Sequence, residues 1–482
     1  MSLHTNRLPR LALVGLLLWG VAAFAQAQNP PGTPAPTASA SPQASPQTKD
    51  SGEKDPQETP TLFPHSESGR YWLSGQINVI FQWHPAFRAA YSRANSLRPE
   101  AEHATSRLLT LYTGAQLTRT TEILFDLESA GGRGISDAFG LAGFTNLDVV
   151  RNPELGSKPY VARLMLHQVI PLSRERVPAT RGPLGLATEL PARRLELRLG
   201  KFGVADFFDL NSVGSDSHLQ FLNWAVDNNA GYDYAADTRG YTFGALLEYQ
   251  DRRWGVRFAE ALMPKVANGI DFEWNLRRAH AENIEVELRR SLLPGRAAAL
   301  RLLGYVNHAN MGRYREAMDA FLAGRTARPE IAAHPLQTTI KYGFGVNLEQ
   351  ALNAWLSVFG RWGWNEGQHE SFVYTEVNQA VVFGAGANGK VWRRKWDRAG
   401  AALAINALSG DHRRYLALGG RGFLLGDGQL NYSREIIVEG YYTVHFWHGV
   451  VGSFVLQHIN NPGYNRDRGP VVVPALRLHL EL

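Results

Sequence analysis

The 482-residue sequence predicts an all-β fold: a transmembrane antiparallel β-barrel of about 16 strands with long external loops. Three observations carry this. First, the last stretch alternates without a break. Leu476, Leu478, Leu480 and Leu482 fall on one side, Arg477, His479 and Glu481 on the other. Side chains along a strand point to opposite faces with period two, so one face is leucine and the other is charged. A soluble sandwich can bury such a face too, but as the final strand it suits the closing strand of a barrel. Lipid admits only helices and closed barrels, because every backbone group must be paired internally. Second, similar runs recur along the chain, as in outer-membrane barrels. Third, the connectors mostly alternate long and short, as external loops and periplasmic turns do.

In chain order, residues 1–27 read as a signal peptide. His4, Arg7 and Arg10 form a basic start, 11–21 is an apolar core, and small residues at 23–27 offer cleavage sites. An uncleaved anchor helix is the alternative. Residues 28–69 are a Pro/Ala/Ser-rich tract with few large apolar side chains, read as a disordered periplasmic tail. A pore plug is the other reading. Residues 70–482 form the barrel domain.

The alternating runs are 73–83, 108–117, 122–129, 160–170, 193–201, 240–249, 253–262, 281–290, 298–308, 338–349, 353–364, 378–385, 399–409, 435–445, 449–460 and 470–482. An even number puts both ends in the periplasm. The connector 171–192 should be a short turn and is too long, so two further strands would fit there. Residues 440–465 lack Asp, Glu, Lys and Arg and mimic a spanning helix. Their β-preferring residues and central Trp447-His448-Gly449 fit two strands better.

Composition narrows the function. There is no cysteine, so no disulfide and no thiol-held metal. The net charge is +6, with 42 arginines against 8 lysines. No basic block or nucleic-acid motif is present, which argues against a nucleic-acid partner. Twelve tryptophans suit interfacial aromatic girdles.

Six segments carry a family resemblance: LRLGKFGVADFFDLN from Leu197, HLQFLNWAVDNNAGYDYAADTRGY from His218, NHANMGRYREA from Asn307, KYGFGVNLEQ from Lys341, SGDHRRYLALGGRGFLLGDGQLNY from Ser409 and NPGYNRDRGPV from Asn461. In this order they resemble the carbohydrate-selective porins of the OprB type. The resemblance implies a monomeric sixteen-stranded outer-membrane barrel that passes sugars by facilitated diffusion. It also implies an external loop folded inward to narrow the pore. Outer-membrane barrels commonly end in Phe or Trp for the assembly machinery, and this chain departs from that with Leu482.

Strand parity sends Glu196, Arg198, Glu285, Glu287, Arg361, Arg477, His479 and Glu481 into the lumen. A wall of compensating ion pairs accounts for most of them. A sugar site needs more: charged donors and acceptors that replace hydroxyl hydration, and aromatic faces for the ring. The loop 202–239 offers Asp206, Asp209, Asn211, Asp216, His218, Gln220, Asn223, Trp224, Asp227, Tyr232 and Tyr234. A packed loop anchored by Phe207, Phe208 and Phe221 is the competing reading. Arg413 and Arg466 could add donors from other loops, or serve loop packing or lipopolysaccharide contact.

The expected function is a passive outer-membrane pore for mono- or small oligosaccharides, with no metal and no cofactor. A general or anion/phosphate-selective porin is the alternative, although the inward carboxylates oppose a purely anionic path. A barrel-embedded hydrolase is less favoured. Ser215, Asp216 and His218 lie close in sequence, but no nucleophile elbow, HExxH, phosphate loop or dinucleotide fingerprint occurs.

Overall fold

The computed structural model describes residues 61–66, 68–152, 155–290, 292–331 and 337–482. The expected signal peptide and most of the expected tail lie outside these residues. The described end of that tail runs beside the closing strand, where the Leu62 amide donates to the Glu481 carbonyl at 2.8 Å.

Sixteen antiparallel strands close into one barrel. They are β1 (Tyr71–His84), β2 (Glu102–Gln116), β3 (Thr121–Gly132), β4 (Tyr160–Pro171), β7 (Arg194–Phe202), β8 (Thr242–Gln250), β9 (Trp254–Ala261), β10 (His280–Leu288), β11 (Ala298–Ala309), β12 (Thr339–Ala351), β13 (Leu356–Asn365), β14 (Gln379–Asn388), β15 (Arg398–Ala407), β16 (Glu435–Trp447), β17 (Val450–Asn460) and β18 (Val471–Glu481). Each of the sixteen expected runs overlaps one of them, with ends that differ by up to six residues, as where β2 starts at Glu102 rather than 108. β18 pairs with β1, in a register running from Gln76 opposite Glu481 to Gln82 opposite Ala475. Beyond that register, the Leu482 amide donates to the Gly75 carbonyl at 2.8 Å. The charge-free stretch 440–465 is two strands, β16 and β17, and no described helix is long and apolar enough to cross a membrane.

The long connector after β4 holds the remaining pair, β5 (Arg176–Pro178) and β6 (Glu189–Pro191), which form a separate hairpin outside the barrel order. Between them the chain turns back against the barrel. The Leu186 amide donates to Glu122 Oε2 at 2.9 Å, and the Leu186 side chain fills the space that Gly114 leaves for want of a Cβ.

Parity holds around the barrel. On β18, Leu476 and Leu478 are 51% and 47% exposed, whereas Arg477 and His479 are 2% exposed. The outer face is therefore apolar and meets lipid. The inner face is polar yet mostly covered, because three connectors fold inside: 133–152, 203–241 and 366–378. One device holds them. A wall or loop carboxylate accepts from consecutive backbone amides of an infolded segment. Glu435 takes the amides of Ala142 and Gly143, Glu439 those of Leu222 and Asn223, and Asp233 those of Phe372 and Val373. Charge-assisted bonds of this kind are about twice as strong as neutral ones. They also satisfy backbone groups that burial would otherwise leave unpaired.

Candidate functional site

The longest infolded segment, 203–241, builds the site. It turns inward at Asp206, whose two carboxylate oxygens take a bidentate bond from Arg163 of β4 at 2.8 and 2.6 Å. Arg163 also reaches Asp126 of β3 at 3.0 Å. Three residues on, Asp209 adopts φ 59°, a left-handed conformation that costs a non-glycine residue about 1–2 kcal/mol. Several bonds hold it there. Its carboxylate lies 2.9 Å from Arg361 Nε, its amide donates to Glu285 at 2.7 Å, and its carbonyl accepts from Asn347 at 2.8 Å.

The tip of the loop spans 211–219. The Ser212 amide and hydroxyl both donate to Glu349, at 2.8 and 2.6 Å. Arg477 of β18 donates to the carbonyls of Ser217 and Gln220 at 2.6 and 3.1 Å. The segment then climbs. Asn223 caps a short helical turn, Trp224–Asp227, by accepting from the Ala225 amide. Its side-chain amide donates to the Gly143 carbonyl and to Gln457, both at 2.9 Å. Close approach of the chain to the wall needs glycine at 363: a Cβ there would overlap the Asn229 side chain.

Beneath this loop the wall carries a continuous run of alternating charge. Glu196 of β7 meets His167, Arg194 and Arg198 at 2.8, 2.6 and 2.6 Å. Arg198 reaches Glu248 of β8 at 3.5 Å. Arg257 of β9 bonds three carboxylates, Glu248, Glu285 and Glu287, at 2.9, 2.8 and 2.9 Å. Arg301 of β11 links Glu287 to Glu349 at 3.2 and 2.9 Å. Arg361 of β13 ends the run on Asp209. Opposite charges one strand apart on the same face are the sheet's way of keeping buried ions paired.

The ten sequence candidates thus separate. Glu196 and Arg198 pair with each other in the wall, and Arg198 is covered by the Phe207 ring at 4.9 Å. Asp206, Asp209, Arg361 and Arg477 fasten the loop. Asn223 is fully buried. Trp224 does not offer an open ring face. Tyr374 stacks on it at 5.4 Å and 3°, Phe144 meets it edge-on at 5.9 Å, and its Nε1–H donates to the Asn146 carbonyl. It is the joint between the three infolded segments. Arg413 lies over the Tyr432 ring at 4.7 Å and Arg466 is exposed on the connector 461–470, so neither joins the others. Ser215 bonds Arg361 and the Asp227 carbonyl while His218 faces Asp148 at 3.5 Å, so these residues make no nucleophile–base pair.

Within the loop tip, Ser212 is exposed and Asp216 and His218 are half-buried. Nearby stand Glu349, bonded to Ser212, and Arg398 of β15, 3.7 Å from Asp216. His218 stacks on His479 at 5.6 Å. Sequence reasoning missed Arg163, Glu248, Arg257, Arg301, Glu349 and Glu439. The signal was present for the wall residues: Arg257 sits one place from outward Phe258, and Glu349 one place from outward Leu348.

Burial opposes ionisation of both His218 and Asp148, but their mutual attraction prevails. Asp148 is held below the usual carboxylate range, and His218 is pushed up to about 9. Asp216 adds to the rise and Arg477 works against it. A raised histidine value means the contact is whole below about pH 6.5 and is lost as pH rises through about 9. Single-channel current is therefore expected to become noisier between pH 8 and 10 as the tip loosens. His218→Gln should remove that dependence, and a step that persists in the variant would assign it to another group.

The profile of the carbohydrate-selective porin family, OprB, matches residues 94–482. The chain belongs to this family. The porin is a passive carbohydrate channel of the outer membrane, and its fold is similar to known ones. The high-pH structure of Pseudomonas putida OprB matches with a TM-score of 0.66 at 14% identity, over 86% of this chain and 94% of that one. The outer membrane channel DcaP of Acinetobacter baumannii matches with 0.45 at 10% identity, over 86% and 97%. No curated relative matches the porin.

Proposed function

We propose that sugars are recognised where the loop tip 211–219 faces the charged wall, and that the buried parts of the loop only hold that tip in place. The observation that supports this is the difference in exposure along one segment. Asn223 and Trp224 are closed off, whereas Ser212, Asp216 and His218 remain reachable beside Glu349 and Arg398. A neutral sugar has no net charge to steer it. It binds by exchanging water for fixed donors and acceptors, and a charged partner strengthens each such bond to about 1.5–3 kcal/mol. Glu349 and Asp216 accept from sugar hydroxyls; Arg398 and His218 donate. The mixed signs along this face favour neutral solutes over phosphate.

In this reading the tract 1–27 directs export, the tail 28–69 contributes no wall, and the barrel works as a monomer in lipid and lipopolysaccharide. No residue set is assigned a catalytic role. Sugar block of ion current in planar bilayers tests the site. Asp216→Asn and Glu349→Gln should each weaken block several-fold with small-ion conductance nearly kept. Trp224→Ala should do something else: it opens a cavity at the joint, costs about 3–5 kcal/mol of stability, and raises ion conductance as the segments separate. Unchanged sugar block in both tip variants, with loss in Glu196→Gln, would move recognition to the wall. Liposome swelling with neutral sugars against phosphate separates the sugar reading from an anion porin.

A further inference from the structure

The outward face of β10 and β11 carries a polar cluster that transport does not use. His280, Glu282 and His308 have the parity of lipid-facing Leu288 and Leu302, not of lumenal Glu285 and Arg301. They lie at the ends of their strands next to the long external connectors 262–279 and 310–338, so the cluster sits at the outer rim. His280 and His308 are direct cross-strand partners, and Glu282 follows His280 by two residues on the same face.

The three side chains converge on one point. Nε2 of His280 is 3.5 Å from Glu282 Oε1, and Nε2 of His308 is 3.4 Å from Glu282 Oε2. Ligand atoms from all three lie within 4.8 Å of one another. Those separations are long for hydrogen bonds, which favour about 2.7–3.2 Å. They fit the edge of a tetrahedron whose bonds are about 2.0–2.1 Å, which is about 3.4 Å. The imidazole rings are stacked at 4.3 Å and 12°, so both present Nε2 to the same carboxylate. A second carboxylate adds to the need for a cation: exposed Glu260 of β9 stands directly opposite Glu282 on the same outward face, and like charges there are destabilising.

We propose that His280, Glu282 and His308 bind one borderline divalent transition-metal ion of the Zn²⁺ class. Two neutral imidazoles and a carboxylate select such an ion over Mg²⁺ and Ca²⁺, which prefer oxygen. The side-chain exposures of 8%, 42% and 19% leave the site open on the Glu282 side, where a water or an external ligand takes the fourth position. The site is external to the lumen and separate from sugar recognition.

The test is calorimetric titration of ZnCl₂ into the tag-free, detergent-purified porin. Saturable binding of one ion per chain is expected, undisturbed by excess MgCl₂. His308→Ala and Glu282→Gln should each weaken it by at least about tenfold, and Zn²⁺ should raise the thermal unfolding midpoint of the wild type but not of either variant. Both variants lie on the outer surface, so their sugar-blocked conductance should equal that of the wild type, which also confirms folding. No saturable binding, binding that survives in a His280→Ala/His308→Ala double variant, or equal displacement by Mg²⁺ would overturn the proposal.

Discussion

Arg257→Met is expected to destabilise the barrel by about 3–5 kcal/mol, the range for breaking a buried ion network from one side. Among the described residues the guanidinium is the one cation bonded to all of Glu248, Glu285 and Glu287, and it also donates to the Phe207 carbonyl at 2.5 Å. Methionine fills much of the same volume and supplies no donor. Three carboxylates would then face one another across neighbouring strands, with Arg198 left at 3.5 Å from Glu248 and Arg301 and Arg289 left to compensate Glu287. The urea midpoint for unfolding in detergent reads the effect. Arg289→Met is the control, because that side chain is one-third exposed and exposed ion pairs contribute about 0–1 kcal/mol. Equal midpoints for the two variants would mean that the run of charges does not stabilise the wall.

The second large effect is on insertion. Leu478→Arg puts a cation on the lipid face of the closing strand, near its middle, where such a charge costs about 2–4 kcal/mol. The variant should be nearly absent from purified outer membranes. Arg477→Leu, one residue away, should insert at close to the normal level, because that position faces inward. Its defect should appear elsewhere. Without the guanidinium, the carbonyls of Ser217 and Gln220 lose their donor, the tip is released and ion conductance rises. Equal membrane levels for both variants, or a normal conductance for Arg477→Leu, would contradict the assigned faces or the clamp.

These two results differ in how far the sequence announces them. The lipid face is written in a period of two, so all sixteen strands and the inward direction of Glu196, Arg361 and Arg477 are legible from the chain alone. Connector lengths add the outer and inner ends. Even the one connector that broke the pattern, 171–192, hides an extra pair of strands, set apart as a hairpin.

The site is less legible, for a physical reason. An infolded loop has no period, and its residues bind partners from 43 to 260 positions away. Trp224 illustrates this. A tryptophan in a polar loop has the right chemistry for a sugar ring, and nothing local reveals that Tyr374 and Phe144 cover it. Asp209 likewise reads as an acceptor lining the pore until Arg361 is placed 2.9 Å from it. The outward cluster shows the same limit. His280 and Glu282 are adjacent on one face, but His308 joins them only through the β10–β11 register.

The anchoring of the infolded segments has a consequence for how such a channel changes over time. Glu439, Glu435 and Asp233 grip main-chain amides, which every residue but proline carries. The grip is therefore indifferent to what side chains the gripped segment bears. Side chains at 142–143, 222–223 and 372–373 can therefore drift without losing these three anchors, while the surrounding cylinder keeps its sequence.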